Sequence, residues 1–257
     1  MISSGALEPL VNNTSNELEL LTAIVPDGSG YGRIIREENR IIGIIEDSDA
    51  DEKVRKINEI NTGIMCCRAN QMKTWLNKLK NDNKKQEYYL TDIVSLAVKD
   101  EIAIHGHKSK IWEESMGIND KSELAKAERL LQKKLATQYM KAGLTLMDPS
   151  RIDIRGSLRH GQDVSVDVNV VFEGKVELGN NVKIGPNTYV SDSSIGDNTT
   201  IHANSHISGA SIGSDSEIGP FARIRPGADL KNNVKIGNFV EIKKTVIDDF
   251  SKVNHLS

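Results

Sequence analysis

LGNNVKIGPNTYVSDSSIGDNTTIHANSHI, Leu178 to Ile207, returns an apolar residue to the same phase every five or six positions. Followed in both directions, the series reads Val166, Phe172, Leu178, Ile184, Val190, Ile195, Ile201, Ile207, Ile212, Ile218, Ile224, Leu230, Ile236, Ile242, Ile247 and Val253. Of its 15 intervals, 12 are six residues and three are five. Neither the 3.6-residue period of a helix nor the two-residue alternation of a strand produces this. Hexapeptide repeats specify a parallel β-helix, in which each hexapeptide supplies a short strand and a turn. Three such units close a triangular coil, and each inward apolar residue stacks on its equivalent one coil away. The series is long enough for about five coils.

The five-residue intervals begin at Val190, Ile207 and Ile242, and counting strands in threes puts all three at one corner of the triangle. The strand that starts at Ile224 reaches the same corner but keeps six residues, IRPGAD. Arg225 and Lys243 each follow an inward apolar residue and lie three strands apart. They are therefore expected one above the other, about 4.8 Å apart. Stacked cations repel unless an anion lies between or over them, and a phosphate suits an Arg fork beside a Lys point charge. A solvated basic ladder is the alternative.

A chain of 257 residues with 38% hydrophobic content and a net charge of −3 fits a soluble cytoplasmic protein, large enough for two domains. Nothing in this balance points to nucleic acid. No apolar run approaches the roughly 20 residues that span a membrane, and the opening MISSGALEPL has no signal-peptide pattern. Cys66 and Cys67, the only cysteines, make neither a disulfide framework nor a zinc pattern and are expected as reduced, buried thiols.

Upstream of the repeats, strands and helices alternate. Strands are expected over Leu18 to Val25, Gly30 to Glu37, Arg40 to Asp47, Glu59 to Cys67 and Glu101 to His107, with a hairpin across Glu38 and Asn39. Gln71 to Leu79 and Leu90 to Val98 show helical spacing. Asp120 and Glu123 form a D-x-x-E capping box for a helix that runs to about Lys141 and closes at Gly143. The expected division is an α/β segment at 1–118, a linker and helical arm at 119–147, and a β-helix at 148–257. The first segment reads as the second half of a larger sheet with an exposed edge, and KVNHLS stops within a coil. Both ends read as cut, so the chain is expected to be an internal piece of a longer protein.

In this order, GYGRI, IIED, EINTG, a helical arm, GPFARIRPGA, KIGNFVEIKK and KVNHLS resemble one family over essentially the whole chain. It is the bifunctional bacterial N-acetylglucosamine-1-phosphate uridyltransferase and glucosamine-1-phosphate acetyltransferase. The resemblance implies the second half of a Rossmann-like nucleotidyltransferase domain, a helical arm and a left-handed parallel β-helix that assembles as a homotrimer. It also implies a cytoplasmic enzyme that acetylates glucosamine 1-phosphate with acetyl-CoA. The enzyme then transfers UMP from UTP to N-acetylglucosamine 1-phosphate, giving UDP-N-acetylglucosamine for peptidoglycan and lipopolysaccharide. The family's sugar-nucleotide ligands fall here on Gly32, Glu46, Asn61 and Asn119, and Asn119 also resembles a Mg²⁺ ligand. Read from the residues alone, these are a hairpin glycine, a strand-end Glu, a turn Asn and a residue before a helix cap. The family's sugar-phosphate cations fall on Arg225 and Lys243, and its proton acceptor on His255. A His with a near-neutral pKa suits a base that frees an amine for attack on a thioester.

The chain also departs from that pattern. The family's glycine-rich phosphate loop and the aspartate that shares Mg²⁺ are not in this sequence, nor are the tyrosine, asparagine and later coils that follow the histidine. The expectation is therefore that this chain alone makes no UDP-N-acetylglucosamine and is inactive alone in acetyl transfer. The alternative is a non-catalytic trimeric β-helix scaffold or sugar-phosphate-binding module. A zinc site built from His202, His206 and His255 is disfavoured, because the strand count sets His255 three coils from the other two.

Overall fold

The computed structural model describes residues 4–12 and 17–257, which divide into two compact units, 1–127 and 128–257. The first contains α1 (Ser4–Asn12), β1 (Leu18–Ile24), β2 (Arg33–Glu37), β3 (Arg40–Ile45), α2 (Glu52–Arg55), β4 (Glu59–Cys66), α3 (Ala69–Leu76), α4 (Asp92–Lys99) and β5 (Ile104–Lys108). A short 3₁₀ turn at Trp112–Ser115 follows. Its sheet runs β3-β2-β4-β1-β5, antiparallel except for the parallel β1–β5 pair at one edge.

The strand alternation that was legible in the sequence is what buries this sheet. Leu18, Leu20, Ile34, Ile41 and Ile44 pack with Trp75 of α3 and Ile93, Val94 and Ala97 of α4. Asp100 accepts a bond from the Trp75 indole, so the polar edge of the buried ring is satisfied. The expected hairpin forms, with Glu38 in the left-handed region at φ +53°. The strands start or stop up to three residues inside the expected limits, Gly30 and Asp47 belonging to turns, except that β5 runs one residue past His107. Cys66 and Cys67 are half-buried, less enclosed than expected, and burial followed by the neighbouring Cys66 pushes the Cys67 thiol up.

α5 (Lys121–Lys141) links the two units in sequence. Asp120 accepts from the Glu123 amide at 2.8 Å, while Glu123 reaches back to the Asn119 amide at 2.6 Å, one residue earlier than in the usual reciprocal box. Gly143 then ends the helix at φ +103°, a conformation that costs a glycine little. Within the second unit, the latter half of α5 covers the first coil. Gln132 clamps Ile154, donating to its carbonyl at 3.0 Å and accepting its amide at 2.8 Å, and Ala136 is fully buried.

β6 (Thr145–Leu146) already pairs with β8 (Ser165–Val166), so coil geometry begins three residues before the expected 148. β7 (Ile152–His160) and β9 (Val170–Leu178) lie side by side over nine residues. From there the strands shorten to two or three residues and stack in three parallel columns. One passes through Val166, Ile184, Ile201, Ile218, Ile236 and Val253. The second passes through Phe172, Val190, Ile207, Ile224 and Ile242, and the third through Leu178, Ile195, Ile212, Leu230 and Ile247. Every member is buried except Ile247 and Val253, which are partly covered.

The corners also repeat. Asp163, Asn181, Asn198, Asp215, Asn233 and Phe250 have positive φ at one corner, and Asn169, Asn187, Asn204, Phe221, Phe239 and Leu256 at another. Asn and Asp tolerate this region best among residues with a Cβ, and their amides ladder from coil to coil: Asn181 to Asn198 and Asn198 to Asp215, both at 3.0 Å. At the third corner stand Gly174, Asp192, Gly209, Gly227 and Lys244. This corner holds the five-residue intervals. Its six-residue exception is a type II turn, with Pro226 at the second position, Gly227 at φ +82° and the Ala228 amide bonded to the Arg225 carbonyl at 3.1 Å. Among the described residues, no helix is long and apolar enough to cross a membrane.

Candidate functional site

Three of the candidate residues in the first unit come together. The Asn61 amide donates to the Gly32 carbonyl at 2.8 Å, bringing β4 against the turn that enters β2. A Cβ at Gly32 would lie 2.8 Å from the Ile44 side chain and 3.3 Å from both carboxylate oxygens of Glu46, so only glycine fits at this approach. Thr91 holds Glu46 by donating to its carboxylate at 2.7 Å. Asn61 is buried and its side-chain oxygen accepts the Gly63 amide at 3.1 Å. Burial, with Glu46 and Asp49 nearby, raises the carboxyl of Asp92, the residue after Thr91. The adjacent cation, Arg33, is fully buried and turned into Asp47 at 3.1 Å and the Tyr31 carbonyl. This corner presents a carboxylate and amides, a set suited to sugar hydroxyls.

Asn119 lies on an exposed stretch before α5, where its backbone amide donates to Glu123. Mg²⁺ demands near-octahedral oxygen coordination and generally one or two carboxylates. Asn119 offers one neutral oxygen, and the neighbouring carboxylates Asp120 and Glu123 are engaged in capping α5. These residues do not fit a resident Mg²⁺ ion.

In the second unit, Arg223 pairs with Glu241 and Ile224 with Ile242, and the Arg225 amide donates to the Ile242 carbonyl at 2.8 Å. Arg225 and Lys243 are thus the next pair in register on consecutive coils. Two bare stacked cations are not what results, however. Glu241 accepts from Arg225 at 2.9 Å and lies 3.7 Å from Arg223. The anion that this stack requires is partly supplied by the protein itself. Lys243 is exposed and has no ion pair among the described residues.

His255 lies one coil further on. The Leu256 amide donates to the Asn238 carbonyl at 3.2 Å and the Glu241 amide to the Ser257 carbonyl at 2.9 Å, so 255–257 runs over 238–241. His255 is exposed, and the described residues show no hydrogen bond from its ring to Arg225 or Lys243. The three residues occupy successive coils but are offset along them.

His202 and His206 have local partners: His202 lies 2.9 Å from Glu217, and the His206 ring packs on Tyr189 at 4.5 Å. A groove of about 690 Å³ on the β-helix is lined by Lys175, Glu177, Asp192, Ser194, Gly209 and Asp229 among others, none of them a candidate site residue.

Comparison with known proteins now adds its part. The protein from Azoarcus sp. (strain BH72) named Bifunctional protein GlmU is 45% identical over 241 residues, 93% of this chain and 53% of that protein. The protein of the same name from Acinetobacter baylyi is 45% identical over 258 residues, all of this chain and 57% of its own length. This chain is similar in sequence to the proteins named Bifunctional protein GlmU. It spans a little over half the length of the GlmU proteins it matches. Residues 154–256 also match the model of the GMPPB C-terminal domain. Among solved structures, the acetyltransferase domain of PglB from Neisseria gonorrhoeae FA1090 aligns at 16% identity with a TM-score of 0.41, covering 62% of this chain and 73% of that one.

The GlmU resemblance read from motifs thus extends along the sequence, but two residues of the candidate sites escaped that reading. Thr91 anchors Glu46 from 45 positions away, with no local pattern to signal it. Glu241 was within reach, because the strand count that stacked Arg225 on Lys243 also sets Glu241 opposite Arg223.

Proposed function

We propose that the β-helix unit binds the phosphate of an amino-sugar phosphate, glucosamine 1-phosphate, as the acceptor half of an acetyl-transfer site. The reading is carried by the register of Arg225 over Lys243 on consecutive coils. Arg225 supplies a planar fork and Lys243 a mobile point charge, and a phosphate spanning both adds charge-assisted hydrogen bonds that Glu241 alone does not complete. Acetyl-CoA is the donor in this reading. The amine nitrogen forms the new C–N bond to the thioester carbonyl, the C–S bond breaks, CoA leaves as the thiolate, and His255 takes the proton from nitrogen. A homotrimer in the cytoplasm belongs to the same proposal, supported by the GlmU relationship.

Gly32, Glu46 and Asn61 are proposed as contacts for the sugar of a nucleotide sugar, through amide and carboxylate bonds to its hydroxyls. Uridylyl transfer is a different matter. Phosphoryl transfer depends on positioning and charge neutralisation, Asn119 does not fit a resident Mg²⁺, and Arg33 is committed to Asp47. The chain alone is therefore expected to release no pyrophosphate from UTP and N-acetylglucosamine 1-phosphate, and measurable turnover in that assay would refute this part.

A second reading, a sugar-phosphate-binding scaffold, is favoured by the exposure of His255 and its offset from the two cations. One experiment separates the two. Thiol release is followed with acetyl-CoA and glucosamine 1-phosphate, alongside binding of the sugar phosphate to the same preparation. Release that disappears in His255→Ala supports the enzyme, binding without release supports the scaffold, and absence of binding refutes both.

A further inference from the structure

The edge of the first unit's sheet carries a group of side chains that the sugar chemistry does not use. β1 and β5 run parallel with Glu19 opposite His105 and Leu21 opposite His107. Strand alternation puts Glu17, Glu19, His105 and His107 on one face. The ligand atoms of Glu17, Glu19 and His105 all lie within 4.8 Å of one another. His105 Nε2 is 3.3 Å from a Glu17 oxygen, and His107 Nε2 is 2.5 Å from a Glu19 oxygen. The Glu19 side chain is only 2% exposed, so its carboxylate is buried beside two imidazoles and a second carboxylate.

Burying a carboxylate is costly unless it is paired or coordinates a cation. Distances distinguish the roles. Two ligand atoms bonded at 2.0–2.1 Å to one tetrahedral ion lie roughly 3.3 Å apart. The Glu17–His105 separation already has that value. The 2.5 Å between Glu19 and His107 is too short for two ligands of one ion and marks a direct hydrogen bond between ring nitrogen and carboxylate. His107 therefore takes the outer position, orienting a ligating carboxylate as metal sites commonly require.

We propose that Glu17, Glu19 and His105 bind one divalent transition-metal ion of the zinc class, with His107 as the positioning residue for Glu19. Mixed imidazole and carboxylate donors suit such an ion, whereas Mg²⁺ and Ca²⁺ prefer sites made entirely of oxygen. The fourth position is left to water or an exogenous ligand. The ion joins β1 to the edge strand β5, so it acts as a staple at the most weakly covered margin of this sheet. Binding to the folded state alone raises stability with metal concentration.

The test uses the full chain with any affinity tag removed, stripped with chelator and titrated with zinc sulfate by calorimetry. A thermal melt is followed in parallel through Trp75 and Trp112. The expected result is one zinc per chain and a melting temperature that rises with zinc but not with equal magnesium. Affinity should fall at least about 10-fold in His105→Ala and in Glu17→Gln. In His107→Gln it should fall about 10-fold with the stoichiometry of one retained, the behaviour of an outer-shell partner. Glu17 and His105 are partly exposed, so their variants keep the fold, and matching far-UV spectra without metal verify this. Absence of a stoichiometric zinc event overturns the proposal. So does an event that survives His105→Ala or is abolished by His202→Ala.

Discussion

The two units bury their interiors by opposite means. The β-helix repeats one solution: an apolar residue stacked on its equivalent, with a residue in the left-handed region at each corner, Asn or Asp at most positions of two corners. Ile207 meets the same kind of neighbour above and below as Ile224 does. The α/β unit repeats nothing and closes over charges. Arg33 is fully buried against Asp47, and Glu59 joins Arg36 of β2 at 2.7 Å and Thr22 of β1 at 2.9 Å, with Lys108 of β5 at 4.0 Å. In a repeat, each coil depends on its nearest neighbours, whereas in the sheet one carboxylate ties together three strands that are distant in sequence.

Both tryptophans, Trp75 and Trp112, lie in the α/β unit, so indole fluorescence reports that unit while far-UV dichroism reports both. The largest effect is expected from Ile207→Ala, which opens a cavity in the middle of a column. It should cost about 3 kcal/mol, seen in dichroism during urea unfolding and leaving the fluorescence transition in place. A shift of both together would show that the contrast between the units is wrong.

Glu59→Gln should do the reverse, moving the fluorescence transition by about 2 kcal/mol as Arg36 loses its charged partner. Burial pushes the Glu59 carboxyl up, but the bonds from Arg36 and Thr22 and the charges of Arg36 and Lys108 outweigh it and hold the group below its ordinary value of 4.5. A depressed carboxyl stabilises the fold above its unfolded pKa and loses that contribution as pH falls through the folded value. The gap between wild type and variant should therefore be full at neutral pH and close below about pH 4.5. A gap that is constant from pH 7 to pH 3 would assign the effect to packing instead.

Asn198→Ala tests the corners. It removes the bonds to Asn181 and Asp215 and places alanine at φ +57°, for an expected loss of about 1–2 kcal/mol by dichroism. A neutral result would mean that the amide ladder is incidental. Arg225→Gln should be the smallest, within about 0.5 kcal/mol of wild type, because its exposed pair with Glu241 contributes little to stability. Its effect belongs in ligand binding.

How much the sequence disclosed follows from the same contrast. A period of six carries both the face and the neighbour: the strand that stacks on Ile207 is three hexapeptides away, so the columns, the irregular corner and the Arg225–Lys243 register all follow by counting. A period of two carries only the face. Alternation marks Glu19 and His107 as residues on strand faces, but their meeting across 88 positions depends on β5 lying beside β1, which no local pattern specifies. Gly32 and Glu46 could be named from their motifs, yet Thr91, which fixes Glu46, is silent in the sequence because a hydroxyl after Leu90 looks like any helix start. The corner phenylalanines were illegible for another reason. Phe221 and Phe239 occupy left-handed positions that chemistry assigns to Asn or Gly, and they stack on each other at 5.2 Å.

The central claim is that the stacked cations of the β-helix bind a sugar phosphate. Its most direct test is calorimetric titration of glucosamine 1-phosphate into the wild-type chain and into Lys243→Met and Arg225→Gln. Unphosphorylated glucosamine serves as the control. The account predicts a saturable event for the phosphate ester alone, weakened at least about 10-fold in each variant, as the loss of one charge-assisted contact implies. Equal binding of both sugars, or binding of the ester that survives both substitutions, would contradict it.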